Sequence, residues 1–459
     1  MPRTQSEYHP HEIILQLQDD AHPHPIPHFI DVKRAFSREN ADFGINELDD
    51  VLEKHLHELS VSRVFIPEKD VEDCLSPHQI GDHYTPEEHL LGLANTYILS
   101  FDKHHKPLNT ICEALKKIRV VKDARPNYVV ETSHKKYSKI ENYVEKGLWG
   151  LERINCPQAW KIEQGIPEVT IAVIDTGIDP THKAFQGRIS DRQYDFVHKT
   201  TMLDDPFRYE LIGDYHTPDC DPTDYSGHGT QCIGIAMGSP MKNGFSGVCP
   251  GATILPLRVF YSYRDKVDQS ITDKATEVDV SAAIHYAVSS GADIISMSFG
   301  SSLKLYQSAI EYAVRHNVCL FAASGNDASK LPNYPASDPR VMAVGAINRK
   351  DKRILISNYG DTYQPFIMAP GEDVLAPHLN GEYFHLTGTS MAAPFVVGGA
   401  GLILSMAKRK GKTLEAAEVY DILLKSADTH LLRNKDDEEY GSGILDMEKA
   451  LLETKRRFA

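Results

Sequence analysis

Short apolar runs separated by helical segments dominate the chain from Gly147 onward. They are rich in β-branched residues, as is typical of strands buried on both faces; the runs are residues 169–174, 254–259, 293–297, 318–323 and 341–346. Between two of them, Val280, Ile284, Ala287 and Val288 mark one face of a helix. This alternation predicts an α/β domain with a mainly parallel, doubly wound sheet and helices on both sides.

The first 131 residues carry a different pattern. Two strand–helix–strand sets follow each other there, at residues 13–17, 45–57 and 60–66 and then at residues 96–101, 110–118 and 127–131. Two such units in a short segment predict a small ferredoxin-like α/β sandwich. Residues 132–146 are polar and Lys-rich, which is typical of a linker. We therefore expect a first domain at 1–131, a linker at 132–146 and a main domain at 147–459.

Composition narrows the partners that we expect. The formal net charge is −15, whereas nucleic acid and acidic membranes bind basic surfaces, so we expect neither partner and weakly favour a basic substrate. The seven cysteines are scattered with no Cys-x-x-Cys pair, which predicts reduced thiols. The first 20 residues hold no apolar core of signal-peptide length, and no run approaches the ~18 apolar residues of a membrane span. We expect a cytoplasmic protein, with secretion as the alternative if a signal segment precedes this sequence.

Three motifs place reactive side chains at the ends of predicted elements, where α/β folds build their sites. Asp175 ends a buried strand in the motif Val-Ile-Asp-Thr-Gly, and His228 begins a helix in Ser-Gly-His-Gly-Thr. Ser390 follows a glycine turn in Gly-Thr-Ser-Met-Ala-Ala-Pro, at the start of a helix of small residues. Taken singly, these residues also suit a strand-end turn, a surface histidine and an ordinary loop. Their combination, in the order Asp, His, Ser, predicts a nucleophilic site.

The chemistry of such a set is acyl transfer. A serine hydroxyl is a weak nucleophile until a base removes its proton. His228 can be that base, while Asp175 fixes its tautomer and stabilises the imidazolium. The helix N-terminus at Ser390 favours negative charge beside it. Asn326, after the run at 318–323, can donate to that oxyanion together with the Ser390 backbone N–H; the alternative for Asn326 is an ordinary turn residue.

These segments closely resemble the subtilisin family of serine proteases. The resemblance extends over about residues 149–450 and includes Trp-Gly-Leu-Glu-Arg-Ile at 149–154, Ser-Met-Ser-Phe-Gly at 296–300 and Gly-Ser-Gly-Ile-Leu-Asp at 441–446. It implies a subtilisin-like, doubly wound fold and a serine endopeptidase with the triad Asp175, His228 and Ser390. The stretch between Asp175 and His228 is long for the family, and the excess lies in the loop at 192–225.

The resemblance also implies a substrate cleft. Its parts are an edge strand that pairs with the substrate, one wall of the primary specificity pocket and the pocket floor. The edge strand matches Ser298, Phe299 and Gly300. The pocket wall matches Ala323, Ser324 and Gly325, and the pocket floor matches Asn333. For Phe299, a place in the hydrophobic core is an equally good interpretation.

The first domain resembles the family's propeptide, an intramolecular chaperone and inhibitor, at residues 97–101 and 125–131. This implies a zymogen that cuts its own linker. Matching residues 147–150 to the family's mature start places the cut near the bond between Tyr143 and Val144. The alternative is an accessory or targeting domain that shares the fold.

Metal binding is a point of departure from the family. A calcium site found in many members falls on Ala184 and Met241, whose side chains offer no oxygen to a hard cation. We expect that site to be absent and no cofactor to be required. Asp219, Asp221 and Asp224 are a candidate for a different calcium site, with a solvated acidic loop as the alternative.

Three functions therefore remain open. They are a self-processing endopeptidase for proteins or peptides, a dedicated maturation protease, and a catalytically silent binding module. The intact triad and Asn326 count against the last.

Cys232, four residues after His228 on the predicted helix, is expected one turn along the same face and close to the imidazole. The alternative for Cys232 is an inert core residue.

Overall fold

The fold is described by a computed structural model that covers residues 7–24, 26–28, 42–70, 83–132, 138–139, 148–197, 207–215, 218–242, 244–331, 333–432 and 438–458. The helices are α1 Asn46–His55, α2 Pro86–Leu90, α3 Leu108–Leu115, α4 Trp149–Arg153, α5 Cys156–Ala159, α6 His228–Met237, α7 Glu277–Ser289, α8 Gln307–Arg315, α9 Thr389–Arg409, α10 Ala416–Ser426 and α11 Met447–Arg457.

The strands of the first domain and the linker are β1 Tyr8–Leu17, β2 Leu56–His57, β3 Ser60–Arg63, β4 Thr96–Ser100, β5 Lys103–His104, β6 Val121–Thr132 and β7 Ser138–Lys139. Those of the main domain are β8 Thr170–Asp175, β9 Tyr194–Asp195, β10 Tyr209–Ile212, β11 Thr253–Arg258, β12 Tyr261–Asp265, β13 Ile271–Thr276, β14 Ile294–Met297, β15 Cys319–Ala323, β16 Met342–Ile347, β17 Phe366–Pro370, β18 Val374–Pro377 and β19 Tyr383–Leu386.

A seven-stranded sheet of parallel neighbours forms the centre of the main domain, in the order β17-β16-β15-β14-β8-β11-β9. Its apolar strands are buried on both faces, so that every residue of β16 is buried. One face packs against α6, α9 and α10, and the other packs against α7 and α8. The predicted doubly wound α/β architecture is confirmed. The carboxyl ends of β8, β14 and β15 consequently meet at one edge of the sheet.

The first domain is the predicted ferredoxin-like sandwich. Its four antiparallel strands lie in the order β3-β4-β1-β6. Alternating side chains of β1 point to opposite faces. Ile13 and Leu15 therefore join the core that includes α1 and α3, whereas Ile14 joins the core that includes α7 and α8 of the main domain.

This antiparallel sheet continues into the main domain. Strand β6 pairs with β13, which sets Val130 opposite Ala275 and Thr132 opposite Asp273. Strand β13 pairs in turn with β12, and β12 pairs with β10 from the long loop at 192–225. One seven-stranded sheet, β10-β12-β13-β6-β1-β4-β3, thus joins the two domains. The sequence patterns predict neither β10 nor this junction.

The prediction of reduced thiols is wrong for one cysteine and holds for five others. Cys220 is in a disulfide, while the other cysteines that the structure describes are free thiols: Cys112, Cys156, Cys232, Cys249 and Cys319. Spacing along the chain does not decide which cysteines meet in space. The expectation that no run approaches the length of a membrane span is also wrong. Within the described residues, α9 is the one helix long and apolar enough to span a membrane, but its apolar stretch is buried inside the protein, as in a core helix. Its Gly, Ala and Ser residues interrupt the large apolar side chains, so the segment does not look like one continuous apolar run in the sequence.

Candidate active site

Asp175 and His228 meet at the carboxyl edge of the parallel sheet. Asp175 is the last residue of β8, and His228 is the first residue of α6. The Nδ1 atom of His228 lies 2.7 Å from Oδ1 of Asp175. Since a carboxylate can only accept, Nδ1 carries the proton and Nε2 is the basic nitrogen. The Thr176 backbone N–H donates to the same Oδ1 over 2.8 Å.

The surroundings of this pair set the basicity of the ring. Both side chains are buried. Burial is the largest single influence and by itself lowers the pKa of His228. The charge of Asp175, the neighbouring Cys232 and the hydrogen bonds to both together outweigh it and raise the pKa well above its ordinary value. The ring is thus a stronger base than a free imidazole.

Ser390 is the second residue of α9, after Gly388 and Thr389. Its side chain is half-buried, and its hydroxyl donates to the carbonyl oxygen of Ser298 over 3.1 Å. Ser298 directly follows β14, so this contact fixes Ser390 at the carboxyl edge of the sheet. Ser390 also lies at the N-terminal end of α9, where the helix dipole favours negative charge.

Cys232 lies between the histidine and the serine. Its Sγ is 3.9 Å from Nε2 of His228 and 3.5 Å from the carbonyl oxygen of Ser390. Burial raises the pKa of this thiol, so it is protonated at neutral pH. Among the described residues, Asp175, His228 and Cys232 are also the one group of His, Cys, Asp or Glu side chains close enough together to hold a metal ion.

Asn326 reaches the same place from the loop after β15. Its Oδ1 accepts hydrogen bonds from the backbone N–H and the hydroxyl of Thr389, over 2.9 and 3.1 Å. Because Oδ1 is held by Thr389, the amide group of Asn326 is turned the other way and can donate. The arrangement can therefore present an N–H group beside the first turn of α9.

The segments assigned to the specificity pocket meet around Asn333. Its Nδ2 donates to the carbonyl of Ser324 over 3.3 Å. A Cβ atom built on Gly300 or Gly325 would lie 2.2 or 2.7 Å from the same Nδ2, so both glycines permit the close approach. Ala323, at the end of β15, is buried beside them.

Phe299 lies in the core. Its side chain is 4% exposed, and its ring packs on Phe260 and Tyr306 with centroids 5.3 and 6.4 Å away. This packing agrees with the core interpretation of Phe299.

Asn358 is a residue of the site that no motif marks. Its Oδ1 accepts from the backbone N–H groups of Asp327 and Ser329, over 2.9 and 3.0 Å, and its Nδ2 donates to Ser324. It thereby fixes the loop that carries Asn326. An isolated Asn between two strands gives no signal in the sequence, since its partners are far away along the chain.

Both places considered for calcium hold contacts within the protein. Both oxygens of Asp224 are taken by protein donors, which does not support the proposed ligand role with Asp219 and Asp221. At the family's site, the carbonyl of Ala184 accepts from the guanidinium of Arg188 over 2.8 Å, so a positive charge already lies there.

The proposed processing residues, Tyr143 and Val144, lie outside the described residues.

Known proteins share this architecture. A model of the subtilase family matches residues 167–443. The chain is 31% identical to thermitase of Thermoactinomyces vulgaris, over 61% of its own length and 91% of that protein. It is 30% identical to the thermophilic serine proteinase of Bacillus sp. (strain AK1), over 68% and 70% respectively. The solved structure of the prenylagaramide maturation protease PagA aligns with a TM-score of 0.52 at 30% identity, covering 65% of this chain and 98% of that one. With the family model matching more than half of its length, the chain belongs to the subtilase family of serine endopeptidases.

Proposed function

We propose that the chain hydrolyses peptide bonds through an acyl-enzyme on Ser390, and that it is made as a zymogen that cuts its own linker. The catalytic part rests on one observation, the buried 2.7 Å hydrogen bond between Asp175 and His228 at the sheet edge that also holds Ser390. Such a pair supplies a serine with a base whose tautomer and orientation are fixed.

In the proposed reaction, Oγ of Ser390 attacks the substrate carbonyl carbon while Nε2 of His228 takes the hydroxyl proton. In the resting state that hydroxyl donates to Ser298, so it has to turn to the imidazole before attack. The carbonyl electron pair moves to oxygen, and the oxyanion accepts from the Ser390 N–H and the Asn326 amide. The C–N bond then breaks, and the imidazolium returns its proton to the leaving amine. Water attacks the acyl-enzyme in the same way and releases the acid.

A fluorophosphonate probe tests the catalytic part. Wild-type protein, once processed, should be labelled with one probe per chain, and peptide mapping by mass spectrometry should place the label on Ser390. The His228→Ala variant should label far more slowly, because its serine lacks a base. A folded wild-type chain that takes no label, or that is labelled at another serine, would leave the silent binding module as the better account.

The zymogen part rests on how the first domain is attached. Besides the β6–β13 pairing, Glu88 of α2 contacts His285 of α7 over 3.0 Å, with the two side chains 0% and 1% exposed. Arg125 of β6 contacts Glu277, at the start of α7, over 2.8 Å. The buried Glu88–His285 pair, the partly buried Arg125–Glu277 pair and the shared sheet suit an inhibitor that remains in place until it is cut. While the linker is intact, the effective concentration of the first domain at the main domain is about millimolar or more.

Two residues of the linker, 138 and 139, pair with the strand that precedes the proposed nucleophile in the chain. Strand β7 pairs with β19, which sets Lys139 opposite Phe384. Strand β19 ends four residues before Ser390. We propose that the linker, held on β19 in this way, is the first substrate. The accessory-domain alternative instead requires an active enzyme with an uncut linker.

The specificity that we propose follows from the pocket around Asn333. A carboxamide at its floor, with the exposed Asp327 directly after Asn326 in the chain, suits tolerance of Lys or Arg before the cut bond. Profiling of cleaved peptides would contradict this if only small aliphatic residues were accepted there. Asp327→Lys should weaken a basic preference, and more so at low salt, because exposed charges are screened.

A dedicated maturation protease is the second candidate, and the similarity to PagA, a maturation protease by name, favours it. The same profiling separates the two candidates. A broad endopeptidase cuts many sequences that share one residue type, whereas a dedicated enzyme cuts a single extended sequence.

A further inference from the structure

The helix that carries His228 starts without an ordinary cap. A capping side chain normally accepts from the second or third backbone N–H of a helix. The N-cap position of α6 is Gly227, which has no side chain. Glycine is required there because its φ is +101° and because a Cβ atom would lie 2.1 Å from the ring of His378.

Asp224 supplies the missing cap from outside the helix. Its Oδ1 accepts from the backbone N–H groups of Ser226 and Gly227, over 3.0 and 2.8 Å. Its Oδ2 accepts from the backbone N–H and the hydroxyl of Thr230, over 3.0 and 2.7 Å. A negative charge at this end of the helix is also favoured by the helix dipole.

The same carboxylate reaches the strand end that carries Asp175. The hydroxyl of Thr176, the next residue along the chain, donates to Oδ1 of Asp224 over 2.9 Å. The Thr176 hydroxyl in turn accepts from the backbone N–H of Gly229 over 2.8 Å. Asp175 and His228 are thus joined twice, once directly and once through Thr176, Asp224 and the first turn of α6.

This second connection is rigid. Asp224 is 4% exposed, Thr176 is 1% exposed and Thr230 is 0% exposed, so water does not compete for these hydrogen bonds. A buried carboxylate is costly unless it is fully hydrogen-bonded, and Asp224 has five donors. Displacing it would leave several buried N–H groups without an acceptor, which is costly as well.

We propose that Asp224 is a positioning residue for catalysis, which fixes the first turn of α6 against Thr176 and thereby holds the imidazole of His228 on Asp175. This inference rests on the proposed role of His228 as the base for Ser390. It predicts that Asp224 acts on the reactivity of Ser390 without touching substrate.

The test is the second-order rate constant for labelling of Ser390 by a fluorophosphonate, measured on the processed enzyme. Asp224→Asn keeps the shape but replaces an acceptor with a donor, so it should lower the constant about 10- to 100-fold, as expected when a catalytic group is misplaced. The matched control is Asp446→Asn. Asp446 is a buried aspartate, 3% exposed, that accepts from the Lys449 N–H and so caps α11, a helix that carries none of the site residues. The control should lose stability, because a helix loses its cap. Its labelling constant should stay within about twofold of wild type, because that helix does not position His228 or Ser390.

A second pair of variants tests the connection if Asp224→Asn does not fold. Thr176→Val keeps the shape and removes the hydroxyl, whereas Thr176→Ser keeps the hydroxyl. Slow labelling in the valine variant with near wild-type labelling in the serine variant is expected. In addition, the low-field proton resonance of the Nδ1–H of His228 should shift or broaden in Asp224→Asn and Thr176→Val, but not in Asp446→Asn.

The outcomes separate this inference from the proposed function. If wild-type protein takes no label, the proposed function fails. The inference is overturned if wild-type protein is labelled at Ser390 but Asp224→Asn is labelled as fast as Asp446→Asn. It is also overturned if Thr176→Val is labelled as fast as Thr176→Ser. In either case Asp224 is only a structural cap.

Discussion

Oδ1 of Asp175 and Nδ1 of His228 lie 2.7 Å apart, and both side chains are buried. Their contact has two consequences. It fixes which ring nitrogen carries a proton, and it raises the pKa of His228 well above its ordinary value although burial acts in the opposite direction. Both consequences can be measured.

The first prediction concerns the pH dependence of kcat/KM. The base has to be neutral, so activity is lost as pH falls through the pKa of His228, and the raised pKa places this acid limb above the ordinary 6.5 of histidine. Asp175→Asn removes the charge that raises the pKa. The limb should therefore move to lower pH, and the plateau should fall on the order of 10⁴-fold. If the acid limb of the kcat/KM profile, or the pKa of the ring in an NMR titration, is unchanged in Asp175→Asn, Asp175 does not act on His228 in this way.

The second prediction concerns Asn326. Its Oδ1 is held by Thr389, which leaves the amide free to donate to an oxyanion. Asn326→Leu, of similar size but without the donor, should lower kcat about 10²- to 10³-fold with little change in KM, as for the equivalent donor of a subtilisin. Steady-state kinetics on a peptide amide decides it. A change in KM with kcat preserved would assign Asn326 to substrate binding.

The third prediction concerns Cys232, whose Sγ is 3.9 Å from Nε2 of His228. A mercurial bound to this sulfur would occupy the space between the imidazole and Ser390, so it should inactivate the enzyme. Cys232→Ala should resist. Cys319→Ala is the matched control, since Cys319 is an equally buried free thiol on β15. Equal sensitivity of the Cys232→Ala variant would place the reactive thiol elsewhere.

The fourth prediction concerns processing. Wild-type protein should separate into the first domain and the main domain, whereas Ser390→Ala should remain one chain. N-terminal sequencing locates the cut, which we expect near Val144. A cut there takes β7 away from β19 with the first domain, whereas a cut between residues 132 and 138 leaves β7 on the enzyme. An active enzyme with an uncut linker would instead identify the first domain as an accessory domain.

The order of strands and helices could be predicted because the relevant signals are local. The run at 169–174 corresponds to β8 Thr170–Asp175, and the run at 318–323 corresponds to β15 Cys319–Ala323. Burial on both faces imposes an apolar, β-branched composition on such strands. The motif residues could be found for the same reason, since each depends on the few residues around it.

Strand β6 shows where local signals end. It was predicted at 127–131, but it extends over Val121–Thr132. Its first half contains charged residues and Pro126, which are unusual in strands. Their partners are distant: Arg125 contacts Glu277, and Pro126 is paired with Ile13. A charge that is satisfied across a domain boundary looks like loop composition in the sequence.

Asp224 shows the same limit in the candidate site. In the sequence it belongs to an acidic loop with Asp219 and Asp221, which suggested calcium or solvent. Its actual partners, Thr176 and Thr230, become neighbours only when β8 and α6 meet. The identity of the capping residue was hidden because Gly227, at the ordinary capping position, cannot cap.

The most direct test of the central claim is the turnover number of Ser390→Ala beside that of Ser390→Ala/His228→Ala, on a peptide substrate and with the fold checked by circular dichroism. If Ser390 is the nucleophile and His228 its base, the single variant should lose on the order of 10⁶-fold in kcat, as a subtilisin does, and the double variant should lose little more, because the two residues act as a unit. A Ser390→Ala enzyme that turns over within a few fold of wild type would contradict the account.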